Sequence, residues 1–340
     1  MKGLKVSKLK SYISLVIVCL ALSACIQSPN CFDEEIFCAA LITDTLGIDD
    51  YGISQDAWVG LQESQTSGIT NQIAYIESVD TRDYQKNIDY FAEKGFDVII
   101  TSGIGLLDET LHSADLHPDS VFVGLNQPFE ETRTNLISIT FPEDQMGFAA
   151  GALASQISET GIIAGVCETS GIDSMWRYCE GYRAGAVFIN PEIKVLVLYR
   201  DSGDRDKIFI DETWGYETGL SLIQRGADVI FAAGGVTGQG ALRAGTESNV
   251  YAIGTERNQA QALGENGRGV VTSLYGHSNF EIQEVMRFVK EGFVQPVRIG
   301  QIQFVSLSQR YSQELSVGMD SLLTMLQNKE IYTNVPFEKP

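Results

Sequence analysis

Three short stretches of this chain bring together side chains that could do chemistry. The first is Thr43-Asp44-Thr45-Leu46-Gly47-Ile48-Asp49-Asp50, followed after a turn by Ser54-Gln55-Asp56-Ala57-Trp58. Asp44 closes a strand, where its carboxylate can accept hydrogen bonds from hydroxyls or amines. Ser54 and Gln55 open a helix whose free N–H groups point the same way. Asp49 and Asp50 read more simply as turn and N-cap residues, and Trp58, at helical spacing from Leu61, as core. The second stretch is Gly234-Gly235-Val236-Thr237-Gly238-Gln239-Gly240-Ala241. It fits neither GxGxxG nor GxxxxGK[ST], and no lysine follows to meet a phosphate. Gly235 instead suits close backbone approach to an uncharged molecule, or tight helix–strand packing. The third joins Glu256-Arg257-Asn258-Gln259 to Val271-Thr272-Ser273-Leu274-Tyr275. Glu256 can accept from two hydroxyls, while Arg257 can pair with it or with a carboxylate. Ser54, Ser273 and His277 would be parts for a hydrolase, yet neither GxSxG nor HExxH occurs.

These residues need strands and helices to position them. Strand patterns fall at 37–43, 72–76, 98–101, 121–124 and 137–140, and again at 161–166, 195–199, 228–232 and 251–254. Between them lie amphipathic helices. Tyr84, Ile88 and Phe91 share one face ahead of a C′ glycine, Gly95, while Met146, Ala149, Ala150, Leu153 and Ile157 line another. Alternating strands and helices of this length predict doubly wound, mostly parallel α/β sheets. One junction recurs: Lys94-Gly95-Phe96-Asp97-Val98-Ile99-Ile100 and Arg225-Gly226-Ala227-Asp228-Val229-Ile230-Phe231. Two lobes on one plan put a cleft between them, and ligands of such sheets bind beyond the carboxyl ends of the strands.

The N-terminus states an address. Lys2, Lys5, Lys8 and Lys10 precede an apolar run from Ile13 to Leu22, which is too short to span a bilayer. Leu22-Ser23-Ala24-Cys25 then resembles a bacterial lipobox, with cleavage before Cys25 and acylation of its thiol. Residues 1–24 would be a lipoprotein signal peptide and 25–36 a lipid-anchored tether. Loss of four lysines and no acids takes the formal net charge from −20 to −24. A surface that acidic repels phosphate backbones, so nucleic acid is not an expected partner. Roughly 315 remaining residues exceed one ordinary core and imply two domains. With Cys19 removed and Cys25 acylated, four cysteines remain. The local pairs Cys31–Cys38 and Cys167–Cys179 are the simplest of three disulfide connectivities for an exported chain. No CxxC occurs, and His112, His117 and His277 lie far from the cysteines, so neither a metal nor another cofactor is expected.

The ordered set of motifs resembles the basic membrane lipoprotein family, the PnrA-like or Med-like substrate-binding lipoproteins of ABC transporters. It runs from Asp44…Gly47-Ile48-Asp49-Asp50…Ala57-Trp58-Val59-Gly60-Leu61 through Asp83-Tyr84…Asn87 and Phe141…Phe148-Ala149-Ala150-Gly151. Gly181-Tyr182-Arg183-Ala184-Gly185-Ala186, the 226–231 strand with its glycine loop, Ala252-Ile253-Gly254 and Thr272-Ser273 complete it. The resemblance implies a type I periplasmic-binding-protein fold, two Rossmann-like α/β/α lobes joined by hinge strands. Its lobes would comprise residues 37–140 plus about 256–303, and 141–255 plus about 304–340. It implies a non-enzymatic receptor that delivers a small ligand, often a purine nucleoside, to a permease and its ATPase. The implied ligand contacts are Asp44, Ser54, Asn126, Phe209, Gly235 and Glu256, with Trp214 and Arg257 in reserve. Phe209 falls at a stacking position. This chain departs from the family pattern at Ile53-Ser54, Asn126, Glu256 and Gly276-His277, removing one stacking ring and a lysine. A surface sensor or adhesin on the same fold is the alternative function, and an exported hydrolase a more distant one.

Overall fold

The computed structural model describes residues 30–305, 307 and 313–340. The expected signal peptide and Cys25 lie outside the described residues. The first lobe opens with β1 (Cys38–Thr43), α1 (Ile53–Thr66), β2 (Gln72–Glu77), α2 (Tyr84–Ala92), β3 (Val98–Ser102), α3 (Leu107–Leu116), β4 (Val121–Leu125) and β5 (Leu136–Thr140). The second contains α4 (Glu143–Ile157), β6 (Ile162–Cys167), α5 (Asp173–Ile189), β7 (Lys194–Tyr199), α6 (Glu212–Gln224), β8 (Val229–Ala233), α7 (Gly235–Glu247), β9 (Tyr251–Thr255), α8 (Gln259–Ala262) and β10 (Val270–Gly276). The chain then returns to the first lobe for α9 (Ser278–Lys290) and β11 (Val297–Ile299), and crosses back for β12 (Ile302–Phe304) and α10 (Gln313–Gln327).

Each lobe holds a six-stranded sheet, in the order β11-β5-β4-β3-β1-β2 and β12-β10-β9-β8-β6-β7. All strand pairs are parallel except β10 with β12. The central strands are buried along their length, which is why they read as apolar runs. The repeated junction does the same work in both lobes. Gly95 and Gly226 take positive φ (77° and 96°) to leave a helix, as do Gly103 and Gly234 (111° and 124°) after the next strand. The aspartate between them anchors the neighbouring strand's entry. Asp97 accepts the Cys38 amide at 2.7 Å, and Asp228 accepts the Glu159 and Thr160 amides at 2.6 and 2.8 Å.

Helix packing in the second lobe explains two of the family motifs. Gly147 and Gly151 of α4 face Gly181 and Gly185 of α5 so closely that a Cβ on any of them would overlap the opposing backbone. Gly215 of α6 and Gly240 of α7 meet in the same way. The glycines therefore let two helix pairs approach backbone to backbone, burying α4 almost completely.

Two boundary expectations are corrected. The sequence reading returned the chain to the first lobe at about residue 256, but β10 pairs with β9 and keeps residues up to Gly276 in the second sheet. The later crossing comes at Gly300, slightly before the expected 304. Residues 30–36, expected as free tether, fold into turns (Asp33 N–H to Asn30 O, 3.0 Å) and are held by the Cys31–Cys38 disulfide, Cα atoms 5.8 Å apart. The second disulfide joins Cys167 at the end of β6 to Cys179 within α5, Cα atoms 6.5 Å apart.

Three strands of chain cross between the lobes and pack around one ring. A Cβ at Gly276 or at Gly300 would overlap Phe141, itself buried. Gly300 donates to Thr140 O and His277 to Gln301 O, both at 2.8 Å. Glu281 accepts Arg298 at 2.9 Å and the Gln301 amide at 3.1 Å.

Candidate functional site

In the first lobe, Asp44 follows β1, Asn126 follows β4 and Ser54 lies in the first turn of α1, all at the carboxyl end of the sheet. Asp44 follows β1, accepts the Leu46 amide at 2.9 Å, and lies against Gly103, where a Cβ would come 2.8 Å from its Oδ2. Burial pushes the Asp44 carboxyl above its ordinary value. The Leu46 amide opposes that rise, Asp50 adds to it, and the positive field of Arg257 opposes it. Asp50 accepts the amides of Gly52, Ser54 and Gln55 at 2.8, 3.1 and 3.0 Å, so it holds the start of α1 as the turn-and-cap reading expects. Ser54 is buried, with its hydroxyl 2.9 Å from that of Ser102. Asn126 is half-buried, with its amide donating to Ile139 O at 2.7 Å and φ at 60°. Trp58 packs edge-on to Tyr75, ring centroids 4.8 Å apart, on the first-lobe core.

The second lobe brings four loops together. Phe209 sits half-buried in the segment after β7, against Gly235 of the glycine loop after β8. Gly235 has φ 57°, and a Cβ there would come 2.8 Å from Phe209 O. Glu256, after β9, directs Oε2 into that loop and accepts the Gly234 and Gly235 amides at 3.0 and 2.9 Å. Sequence reasoning assigned this carboxylate to ligand hydroxyls, yet one of its oxygens organises the protein's own backbone. Arg257 pairs with neither Glu256 nor any other carboxylate among the described residues. Its Nη1 donates across to Asp50 O at 2.7 Å, and its buried Nε has no hydrogen-bond partner among the described residues. The Asn258 amide donates to Tyr51 O at 2.8 Å, and Gly52 bridges Arg257, so this contact links the lobes directly. Trp214, in the first turn of α6, is partly buried against the cluster of Ala164, Val166, Leu222 and Ala241.

Four of the seven non-glycine residues with positive φ among the described residues fall here, the others being Asn249, Lys329 and Asn334. Tyr51, Asn126, Phe209 and Glu256 adopt φ between 52° and 68°, in the left-handed region that non-glycine residues rarely occupy. Such residues persist where surrounding structure holds them and concentrate at functional sites. Sequence reasoning missed Glu168, Arg200, Ser102 and Tyr51, whose roles arise only from long-range contacts.

The family model for the Bmp family, described as ABC transporter substrate-binding protein PnrA-like, matches residues 38–276. The chain belongs to this family. A CD4+ T-cell-stimulating antigen of Listeria monocytogenes is 29% identical to this PnrA-like chain over 238 residues, 66% of the chain and 63% of that protein. The ABC transporter nucleoside-binding protein BmpA of Lactococcus lactis is 28% identical over 235 residues, 66% and 61% respectively. The alignments therefore span under two thirds of both relatives' lengths. Basic membrane protein A of Borreliella burgdorferi is 25% identical over 313 residues, 88% of each protein. Among solved structures, an ABC transporter solute-binding protein from Conexibacter woesei superposes with a TM-score of 0.73 at 20% identity, covering 89% of this chain and 100% of its own. That likeness gives the PnrA-like chain a periplasmic-binding-protein fold. No helix among the described residues is long and apolar enough to cross a membrane.

Proposed function

We propose that this PnrA-like chain is a lipid-anchored extracytoplasmic receptor that closes on one small polar ligand and presents it to an ABC permease and ATPase. The observation that carries the reading is that Asp44 and Asn126 follow strands of the first sheet while Phe209, Gly235 and Glu256 follow strands of the second, with loops of the two lobes bonded to each other at Asp50–Arg257 and Tyr51–Asn258. Asp44 and the remaining oxygen of Glu256 accept hydrogen bonds, Asn126 reads polar edges, Phe209 offers a ring face and Gly235 admits close approach. A nucleoside-like ligand fits this set, and the Lactococcus relative's name points the same way. Cys25 carries the lipid in this reading and keeps the receptor beside its permease.

Capture proceeds without bond making. Ser54 is hydrogen-bonded to Ser102, Ser273 accepts the Gln259 amide at 3.0 Å, and His277 lies at the hinge. None of these hydroxyls is bonded to a histidine, as an activated nucleophile would be. Mass spectrometry of denatured, freshly purified protein tests the function. A small molecule released near one per chain, unchanged after incubation, is the expected result. Its conversion to product would contradict a binding role, and failure of wild-type protein to retain or bind any nucleoside, sugar, amino acid or vitamin would contradict capture.

A further inference from the structure

Phe209 stands in a segment from Arg200 to Asp211 whose only helical turn is a single one at Arg205–Lys207 and which is exposed over most of its length. An aromatic on such a segment would ordinarily move. Here its backbone is gripped from both sides. Phe209 N–H donates at 2.9 Å to Oε2 of Glu168, a side chain with no solvent exposure, and Phe209 O accepts the Val236 and Thr237 amides at 2.8 and 3.3 Å. The other Glu168 oxygen accepts Arg200 Nη1 at 3.3 Å. Arg200, 2% exposed, also donates to Asp211 from Nε and Nη2 at 3.1 and 3.0 Å, and to Asp204 O at 2.8 Å. The Asp211 amide in turn donates to Thr237 Oγ1 at 3.0 Å.

We infer that Glu168 and Arg200 are positioning residues that fix Phe209 as a preformed ring platform at the cleft, a role resting on the ligand-capture reading above. A buried ion pair is a weak source of net stability, because desolvation offsets attraction. Its value here lies in geometry. One carboxylate ties the end of β6 to the left-handed backbone of Phe209, while one guanidinium ties the start of the loop to its end. Glu256 completes the frame by holding the glycine backbone against which Phe209 packs. A ring held before the ligand arrives loses less conformational freedom on binding.

Two measurements on the full chain test this. In hydrogen exchange followed by mass spectrometry, the wild-type 205–211 segment should protect the Phe209 amide as strongly as the flanking strands. Glu168→Asp keeps a charge opposite Arg200 and so retains the fold, but is one methylene too short to reach both partners. It should lose that protection selectively, and Glu168→Gln should do the same. In titration with adenosine and inosine, Glu168→Asp should weaken binding about tenfold in the wild-type background and no further in a Phe209→Ala background. Unchanged exchange at Phe209 would overturn the inference, as would equal losses of affinity in both backgrounds. If wild-type protein binds neither nucleoside, the nucleoside reading fails, and the exchange result alone decides the positioning role.

Discussion

The two faces of the cleft are built differently. On the second-lobe side, loops after four consecutive strands are cross-braced by Glu168, Arg200, Asp211 and Glu256, so Phe209 and Gly235 are fixed through bonds to their own backbone. On the first-lobe side, Asp44 keeps one local backbone bond, and the side-chain amide of Asn126 makes no hydrogen bond to any described residue. The scaffolds differ in degree: glycines on both partners bring the α4–α5 and α6–α7 pairs into backbone contact, whereas in the first lobe Gly60 of α1 alone approaches the Asn279 backbone of α9. The contrast extends to charge as well. Burial holds Asp44 above the ordinary aspartate value, whereas Asp211 is held below it: burial acts to raise it, but the Trp214 amide and the Arg200 guanidinium outweigh that. The second-lobe loops are braced by charged side chains, whereas the first-lobe loops are held by Asp50 on the start of α1 and by the Ser54–Ser102 contact.

The largest effect that would break this contrast comes from the scaffold. Gly185→Ala places a methyl against the Phe148 carbonyl and should lower unfolding free energy by about 3 kcal/mol, measured by urea denaturation. A change below about 0.5 kcal/mol would show that α4 and α5 can separate freely. Removing the Cys167–Cys179 bridge, with a sequence separation of 12, should cost about 3 kcal/mol by loop-closure entropy and slacken the Glu168 segment. Removing Cys31–Cys38, with a separation of 7, should cost slightly less and leave the cleft unaffected. Ligand affinity measured alongside melting temperature separates the two cases, and equal effects on binding would erase the difference between lobes.

Glu256→Ala should weaken ligand binding by about 1–3 kcal/mol, because two loop amides lose their acceptor as well as the ligand losing one. Unchanged affinity would remove Glu256 from the site. A smaller effect is expected from acid. Asp44, with its raised value, takes up its proton above the ordinary 3.8 and before Asp211 does, so affinity should decline in that window while the fold persists. Its folded carboxyl is the weaker acid, so protonation does not itself unfold the chain. Asp211 has the opposite sign: its depressed value contributes stability above 3.8 that is lost only at lower pH, as its folded form takes up a proton. Binding measured from pH 6 downward, with Asp44→Asn abolishing the decline, checks the order. Loss of fold before loss of binding would reverse it.

Much of the fold was legible because its signals are local. Apolar runs located β1 to β9 within a residue or so of their observed ends but not β10 to β12, and glycines after helices marked turns that positive φ requires. The lobe boundary near residue 256 was misplaced because β10 and β9 look alike whichever sheet they join, and only pairing decides. Within the site, Asp50 as a cap was readable from spacing, since its three amide donors lie within five residues. Glu168 was not, because its partners Arg200 and Phe209 lie 32 and 41 residues away. Glu256 was recognised as an acceptor, but its bonds to the Gly234 and Gly235 amides were not foreseen, since a free carboxylate and one bonded to backbone look identical in sequence. Trp214 and Phe209 were both rings near the right place. Helix phase turned Trp214 toward the Ala164 and Val166 cluster.

Hydrogen exchange on wild-type protein, with and without the ligand it retains, tests the central claim most directly. The account predicts that segments 200–211 and 234–237 are already protected in the free protein, and that ligand adds protection chiefly at 44–54 and around Asn126. Strong ligand-induced protection of the Phe209 and Gly235 segments, with the first-lobe loops unchanged, would contradict it.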